Sequence, residues 1–89
     1  MVANTEDVQQ LVRSSGSVGA NYIEANESLS KKDFIFRVKV CRKEAKESKY
    51  WLGLLFTDSK KDLDLERNRL IQEATELMNI FGAIIRKSE

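Results

Sequence analysis

A chain of 89 residues has room for one domain with a modest hydrophobic core. It contains no histidine and only one cysteine, which excludes an intramolecular disulfide and removes the usual general base and the commonest zinc ligand. We find no signal-peptide pattern and no apolar run as long as a membrane span, and we expect a cytoplasmic protein.

The net charge of +1 hides an uneven distribution of charged residues. Residues 31–50 hold eight Lys or Arg and three Asp or Glu, a local net charge of +5. Residues 1–30 hold one Arg and four acids, a local net charge of −3. This asymmetry favours an electrostatic partner for the middle of the chain.

The first predicted helix covers roughly residues 5–27, with Thr5 as its N-cap. Its core positions recur every three or four residues, at Val8, Leu11, Ser15, Val18, Tyr22, Ala25 and Leu29. Residues 14–17 are weak helix formers, so a loop is the alternative, and residues 16–19 would then resemble a phosphate-cradling loop. We favour the helix, because the pattern keeps its phase and because no strand precedes the glycines.

The second predicted helix covers roughly residues 31–56 and begins with a capping box. In such a box, Ser30 accepts a hydrogen bond from the Asp33 amide and the Asp33 carboxylate bonds back to Ser30. Core positions then alternate in steps of four and three, the spacing of a helix packed lengthwise on other helices. These positions are Phe34, Val38, Cys41, Ala45, Ser48, Leu52 and Leu55.

Two further surfaces flank this core stripe. The first, here called the basic flank, consists of Lys31 and the six residues that we predict to contact nucleic acid: Lys32, Lys39, Arg42, Lys43, Lys46 and Lys49. The second, here called the apolar edge, is the predicted oligomer interface: Phe36, Val40, Trp51 and Leu54.

The third predicted helix covers roughly residues 63–87. Its core stripe is Leu70, Ala74, Leu77, Phe81 and Ile84, widened by Ile71, Met78 and Ile85. Gly82 is unfavourable within a helix and indicates a close contact. Three long helices with short links and no strand pattern predict an all-α fold, an antiparallel up-and-down helical bundle forming one domain over residues 1–89.

Several segments together resemble a known family: Arg13-Ser14 with Gly19-Ala20-Asn21 and Glu24-Ala25, then residues 30–35 (SKKDFI), Lys43-Glu44-Ala45 with Glu47, and Tyr50-Trp51-Leu52. The family is that of the small four-helix-bundle proteins encoded by intervening sequences within bacterial 23S ribosomal RNA genes, also called S23 ribosomal proteins. The resemblance extends over nearly all of residues 8–87.

The resemblance implies a ring-like homopentamer with no enzyme activity attributed to the family. A similar bundle is the accessory protein of diversity-generating retroelements, a basic pentamer that binds nucleic acid and a reverse transcriptase. The chain departs from the family pattern in two respects. The family normally carries a further helix before the Arg13-Ser14 segment, which here is either absent or cut away, and Arg42 stands where an apolar residue is expected.

Catalytic and metal-binding chemistry find little support in the sequence. Glu44 with Glu47 and Glu73 with Glu76 have the spacing of bundle carboxylates, but the di-iron pattern also needs histidine. We interpret these pairs as solvated or ion-paired surface. Cys41 has no histidine to activate it. We therefore expect a non-enzymatic protein without cofactor, metal or small-molecule substrate.

Two functions fit the surfaces of the second helix. In the first, an oligomer associates with RNA or DNA through the basic flank, without base-specific readout. In the second, the chain is a protein-binding scaffold with no nucleic-acid role, and the basic flank is a solvated face. Trp51 with Tyr50 and Phe36 also suggests base stacking, but we favour helix or subunit packing for these aromatic residues.

Overall fold

The computed structural model describes residues 2–55 and 57–89, with side chains from Glu6 onward. Over these residues the chain forms three α-helices and no β-strand: α1 at Val2–Asn26, α2 at Lys31–Leu54 and α3 at Lys61–Ser88. The predicted all-α class is confirmed. Phe56, the predicted last residue of the second helix, lies outside the described residues.

The ends of the helices show which of the predicted N-caps are correct. α1 already begins at Val2, so Thr5 lies inside the helix and is not its N-cap. At the start of α2, Ser30 Oγ accepts a hydrogen bond from the Asp33 amide at 3.0 Å, which confirms the predicted cap. The Asp33 carboxylate lies instead 3.9 Å from Arg37 Nε.

α1 runs without a break through its serines and glycines. The predicted alternative of a phosphate-cradling loop at residues 16–19 is therefore wrong, because helical amides in mid-helix are used by the helix itself. α3 begins at Lys61, two residues before its predicted start. The turn before it is made by Asp58 and Ser59, whose φ angles of 57° and 58° are left-handed.

α2 is the central helix, and both other helices pack antiparallel along it. Within the described residues, the backbones of α1 and α3 do not approach each other closely. The two outer helices meet through side chains, such as the rings of Tyr22 and Phe81 with centroids 6.3 Å apart. The domain measures 46 × 21 × 14 Å along its principal axes.

The main buried cluster lies where the second half of α1 meets the middle of α2 and the last turns of α3. Its buried members are Ala25, Val38, Cys41, Ala45, Phe81 and Ile85. Every predicted core position of α2 is buried or half-buried, so the stripe on the central helix is confirmed. None of the helices described here is long and apolar enough to cross a bilayer.

The predicted core stripe of α1 is wrong at several positions. Val8, Ser15 and Tyr22 are exposed, and Leu29 lies in the exposed turn after the helix. Ser14, which we did not predict as core, is completely buried. The reason is that the α1 backbone approaches only α2 closely and α1 meets α3 through a few side chains, so a narrow face of α1 is covered.

Candidate nucleic-acid interface

The six residues predicted to contact nucleic acid all lie on α2, the helix that the other two helices hold between them. Lys32, Lys39, Arg42, Lys43 and Lys46 are exposed, and Lys49 is half-buried. Helical spacing aligns Lys39, Arg42, Lys43 and Lys46 along the outward side of α2. Of these four, Lys39 has a carboxylate nearby, with 3.9 Å between its Nζ and Glu89 Oε2.

Two of the three acidic residues of α2, Glu44 and Glu47, are paired with a cation of α1. The Arg13 guanidinium donates to Glu44 Oε2 at 3.2 Å and to Glu47 Oε1 at 2.7 Å. The hydrogen bond to Glu47 raises the pKa of Arg13. Arg13 thus balances charge on two of the three acids among residues 31–50, which leaves the lysines of the basic flank with fewer carboxylate partners.

The predicted role of Glu44 and Glu47 is confirmed in one respect and wrong in another. Both carboxylates are ion-paired, as expected. Glu44 is not a surface residue, however, because only 5% of it is exposed. Its burial follows from α1, whose Arg13 and Ser14 lie over this part of α2.

Phe36 lies beside the basic flank rather than apart from it. It shares a shallow cleft at the start of α2 with Ile35 and three lysines, Lys31, Lys32 and Lys39. The phenyl ring is 56% exposed. The Arg37 guanidinium carbon lies 5.7 Å from the ring centroid. An exposed ring among cations has the composition of a platform on which a nucleic-acid base stacks.

The other three residues of the apolar edge differ in exposure. Leu54 is exposed, whereas Val40 and Trp51 are half-buried. Trp51 packs edge-on against Tyr50, with 5.1 Å between ring centroids. Trp51 Nε1 is buried and has no hydrogen-bond partner among the described residues. Trp51 is therefore partly covered within the single chain.

Arg42 has a neighbour on α3 that sequence reasoning missed. Arg42 and Arg86 line one open cleft of about 340 Å³ between α2 and α3, together with Met78, Asn79 and Gly82. An apolar residue was expected at position 42. Arg42 is exposed in this cleft, so its charge does not disturb the packing of α2 on α3. Arg86 stands in the last turn of α3, where the sequence indicates only a favourable interaction with the helix dipole. Whether Arg86 lies near Arg42 depends on how α2 and α3 are aligned along their axes. The residue pattern of a single helix gives no information on that alignment.

Cys41 lies in the core, and its Sγ is 3.5 Å from the Val18 carbonyl oxygen. Burial raises the pKa of this thiol, which keeps it protonated and weakly nucleophilic. Over the part of the chain that the structure describes, no three His, Cys, Asp or Glu side chains converge as metal ligands would.

The model of one protein family, the 23S rRNA-intervening sequence proteins, matches residues 4–83. The chain belongs to this family. A crystal structure of an S23 ribosomal protein family member from Bacteroides thetaiotaomicron, a protein of unknown function, is similar, with 32% sequence identity and a TM-score of 0.77. The match covers 89% of this chain and 72% of that one. Comparison of this 23S rRNA-intervening sequence protein with curated proteins gives no match.

Proposed function

We propose that this 23S rRNA-intervening sequence protein is a non-enzymatic protein that binds the phosphate backbone of RNA or DNA along the basic flank of α2. The observation that carries the proposal is the difference in pairing between the cations and the acids of this helix. Lys39, Arg42, Lys43 and Lys46 are exposed, while Glu44 and Glu47 are paired with Arg13 of α1. A continuous row of cations is the usual footprint of sequence-tolerant binding to nucleic acid.

The absence of enzyme activity is part of the same proposal. The chain has no histidine, and its one thiol is buried. The buried polar residues of α2 are also engaged, Glu44 in an ion pair with Arg13 and Ser48 in hydrogen bonds with Ser14 and the Glu44 carbonyl. The ligand is therefore expected to dissociate chemically unchanged.

A matched pair of variants tests the proposed surface. One variant carries Lys43→Glu and Lys46→Glu on the basic flank, and the other carries Lys60→Glu and Lys61→Glu at the start of α3. All four lysines are exposed, and both variants change the net charge equally. Binding of a labelled single-stranded RNA is measured by fluorescence anisotropy. The flank variant should lose most of its affinity and the control little, whereas equal losses would show an effect of net charge alone.

A second candidate function is self-association through the apolar edge, with the protein serving as a scaffold. It is favoured by the exposure of Phe36 and Leu54, at 56% and 46%, since exposed apolar groups at one edge often form interfaces. The five subunits implied by the resemblance are the expected assembly. Light scattering on the eluted protein tests this candidate: a single species of monomer mass at micromolar concentration would contradict it.

Phe36→Leu separates the two roles of the exposed phenylalanine. Leucine keeps an apolar side chain for a subunit interface but has no ring on which a base can stack. If the ring stacks on bases, this variant should weaken RNA binding by about 1 kcal/mol or more with no change in molar mass. If Phe36 packs between subunits, the molar mass should respond to Phe36→Ser while Phe36→Leu binds RNA normally.

A further inference from the structure

The cleft between α2 and α3 is distinguished by its two arginines. The chain has six arginines. Four of them, Arg13, Arg37, Arg67 and Arg69, each have a carboxylate oxygen within 4 Å. Among the described residues, Arg42 and Arg86 have no such partner, and these are the two arginines that line the cleft.

The other residues of the cleft leave the two guanidinium groups free to bind a ligand. No carboxylate lines the cleft, and Asn79 adds a neutral amide with two further donors. Gly82 has no side chain, and a Cβ placed there would lie 3.5 Å from Arg86 Nη1. The Arg86 head group therefore lies close to the α3 backbone, where it can act together with Arg42.

A guanidinium group is a planar fork of N–H donors that matches the oxygens of a phosphate. Two forks opening into one cleft provide donors for a single tetrahedral anion from two sides. Two unpaired cations that line one cleft also repel each other, and an anion bound between them would offset this repulsion. The cleft adjoins the basic flank through Arg42, so a backbone phosphate in it would belong to a strand that also contacts Lys39 and Lys43.

We propose that Arg42 and Arg86 form a clamp for one backbone phosphate of a bound nucleic acid, anchoring the strand at the α2–α3 cleft. This inference rests on the proposed function and adds to it a contact on α3. At this position a phosphate is held from two helices. At the other positions along the basic flank, lysines of α2 alone contact the strand.

The experiment compares Arg86→Gln with Lys87→Gln, which removes the same charge from the neighbouring residue in the same last turn of α3. Binding of single-stranded RNA is measured for both variants, for Arg42→Gln, and for the double variant Arg42→Gln/Arg86→Gln. Circular dichroism and the thermal midpoint confirm that each variant is folded. Arg86→Lys is included, because lysine keeps the positive charge but lacks the planar fork of N–H donors of a guanidinium group.

The clamp predicts that Arg86→Gln weakens binding roughly ten-fold and more than Lys87→Gln does. Arg86→Lys should recover only part of that loss. The double variant should lose little more than either single variant, because both arginines hold the same phosphate. Equal effects of Arg86→Gln and Lys87→Gln would overturn the clamp and leave the proposed function standing. No binding by the unaltered protein would overturn the proposed function itself and the clamp with it.

Discussion

Ser14 of α1 and Ser48 of α2 form a buried hydrogen bond, with 3.0 Å between their Oγ atoms. Ser14 is fully buried, and Ser48 also donates to the carbonyl oxygen of Glu44 at 2.9 Å. Ser14 Oγ also lies 3.3 Å from the Leu11 carbonyl oxygen, so each hydroxyl has a carbonyl acceptor in its own helix and either one can donate the bond between the helices. Small polar side chains at this point bring the two helices close together and place Arg13 over Glu44 and Glu47.

Valine substitutions at Ser14 and Ser15 test which serine faces α2. Ser14→Val adds volume to a closed contact and removes the hydrogen bond, so we expect a loss of about 1–3 kcal/mol in the free energy of unfolding. Ser15→Val lies on exposed helix surface, and we expect a change within about 0.5 kcal/mol. Urea denaturation followed by circular dichroism measures both. A larger loss at Ser15 would mean that α1 is rotated from its described orientation.

Ser30→Ala tests the N-cap of the central helix. The Ser30 hydroxyl is the acceptor for the Asp33 amide at 3.0 Å, and its removal should cost about 1 kcal/mol of stability. For a domain of this size, that loss lowers the thermal midpoint by about 4–8 °C. Ser15→Ala is the control, since it removes an exposed hydroxyl in mid-helix and should be neutral or slightly stabilising. An unchanged midpoint for Ser30→Ala would place the start of α2 elsewhere.

Gly82→Ala tests whether a close contact requires glycine in α3, as the sequence suggested. The added Cβ would lie at an ordinary van der Waals distance of 3.5 Å from the Arg86 side chain. Alanine should therefore stabilise the protein by about 1 kcal/mol through its helix propensity. Ala83→Gly, the reverse change at the next residue, should destabilise it by a similar amount. A fall in stability for Gly82→Ala would show that another surface meets α3 at this glycine.

The sequence predicted the central helix well, because α2 packs on helices at both sides and its core stripe is correspondingly broad. It predicted α1 poorly for the opposite reason. With α2 as its only close backbone neighbour, α1 buries a narrow face on which Ser14 is more buried than larger apolar residues such as Val8 and Tyr22. Periodicity alone does not reveal how many neighbours a helix has.

The basic flank could be located from the sequence because its members share a single helix. Contacts that join two helices could not be located in the same way. The Arg13 pairs with Glu44 and Glu47 depend on the alignment of α1 with α2, and the cleft of Arg42 and Arg86 depends on the alignment of α2 with α3. The alignment of two helices along their axes is set by how their side chains pack. The pattern of apolar residues in each helix is consistent with several such alignments.

The central claim is that outward-facing cations on α2 bind backbone phosphates, and the salt dependence of binding tests it most directly. We expect the logarithm of the association constant for single-stranded RNA to fall linearly with the logarithm of the salt concentration, with a slope of about −0.7 for each phosphate neutralised. The Lys43→Glu/Lys46→Glu variant should show a shallower slope, by about 1.4 if each lysine neutralises one phosphate. The Lys60→Glu/Lys61→Glu control should keep the original slope. Binding that does not change with salt, or no binding at low salt, would contradict the account.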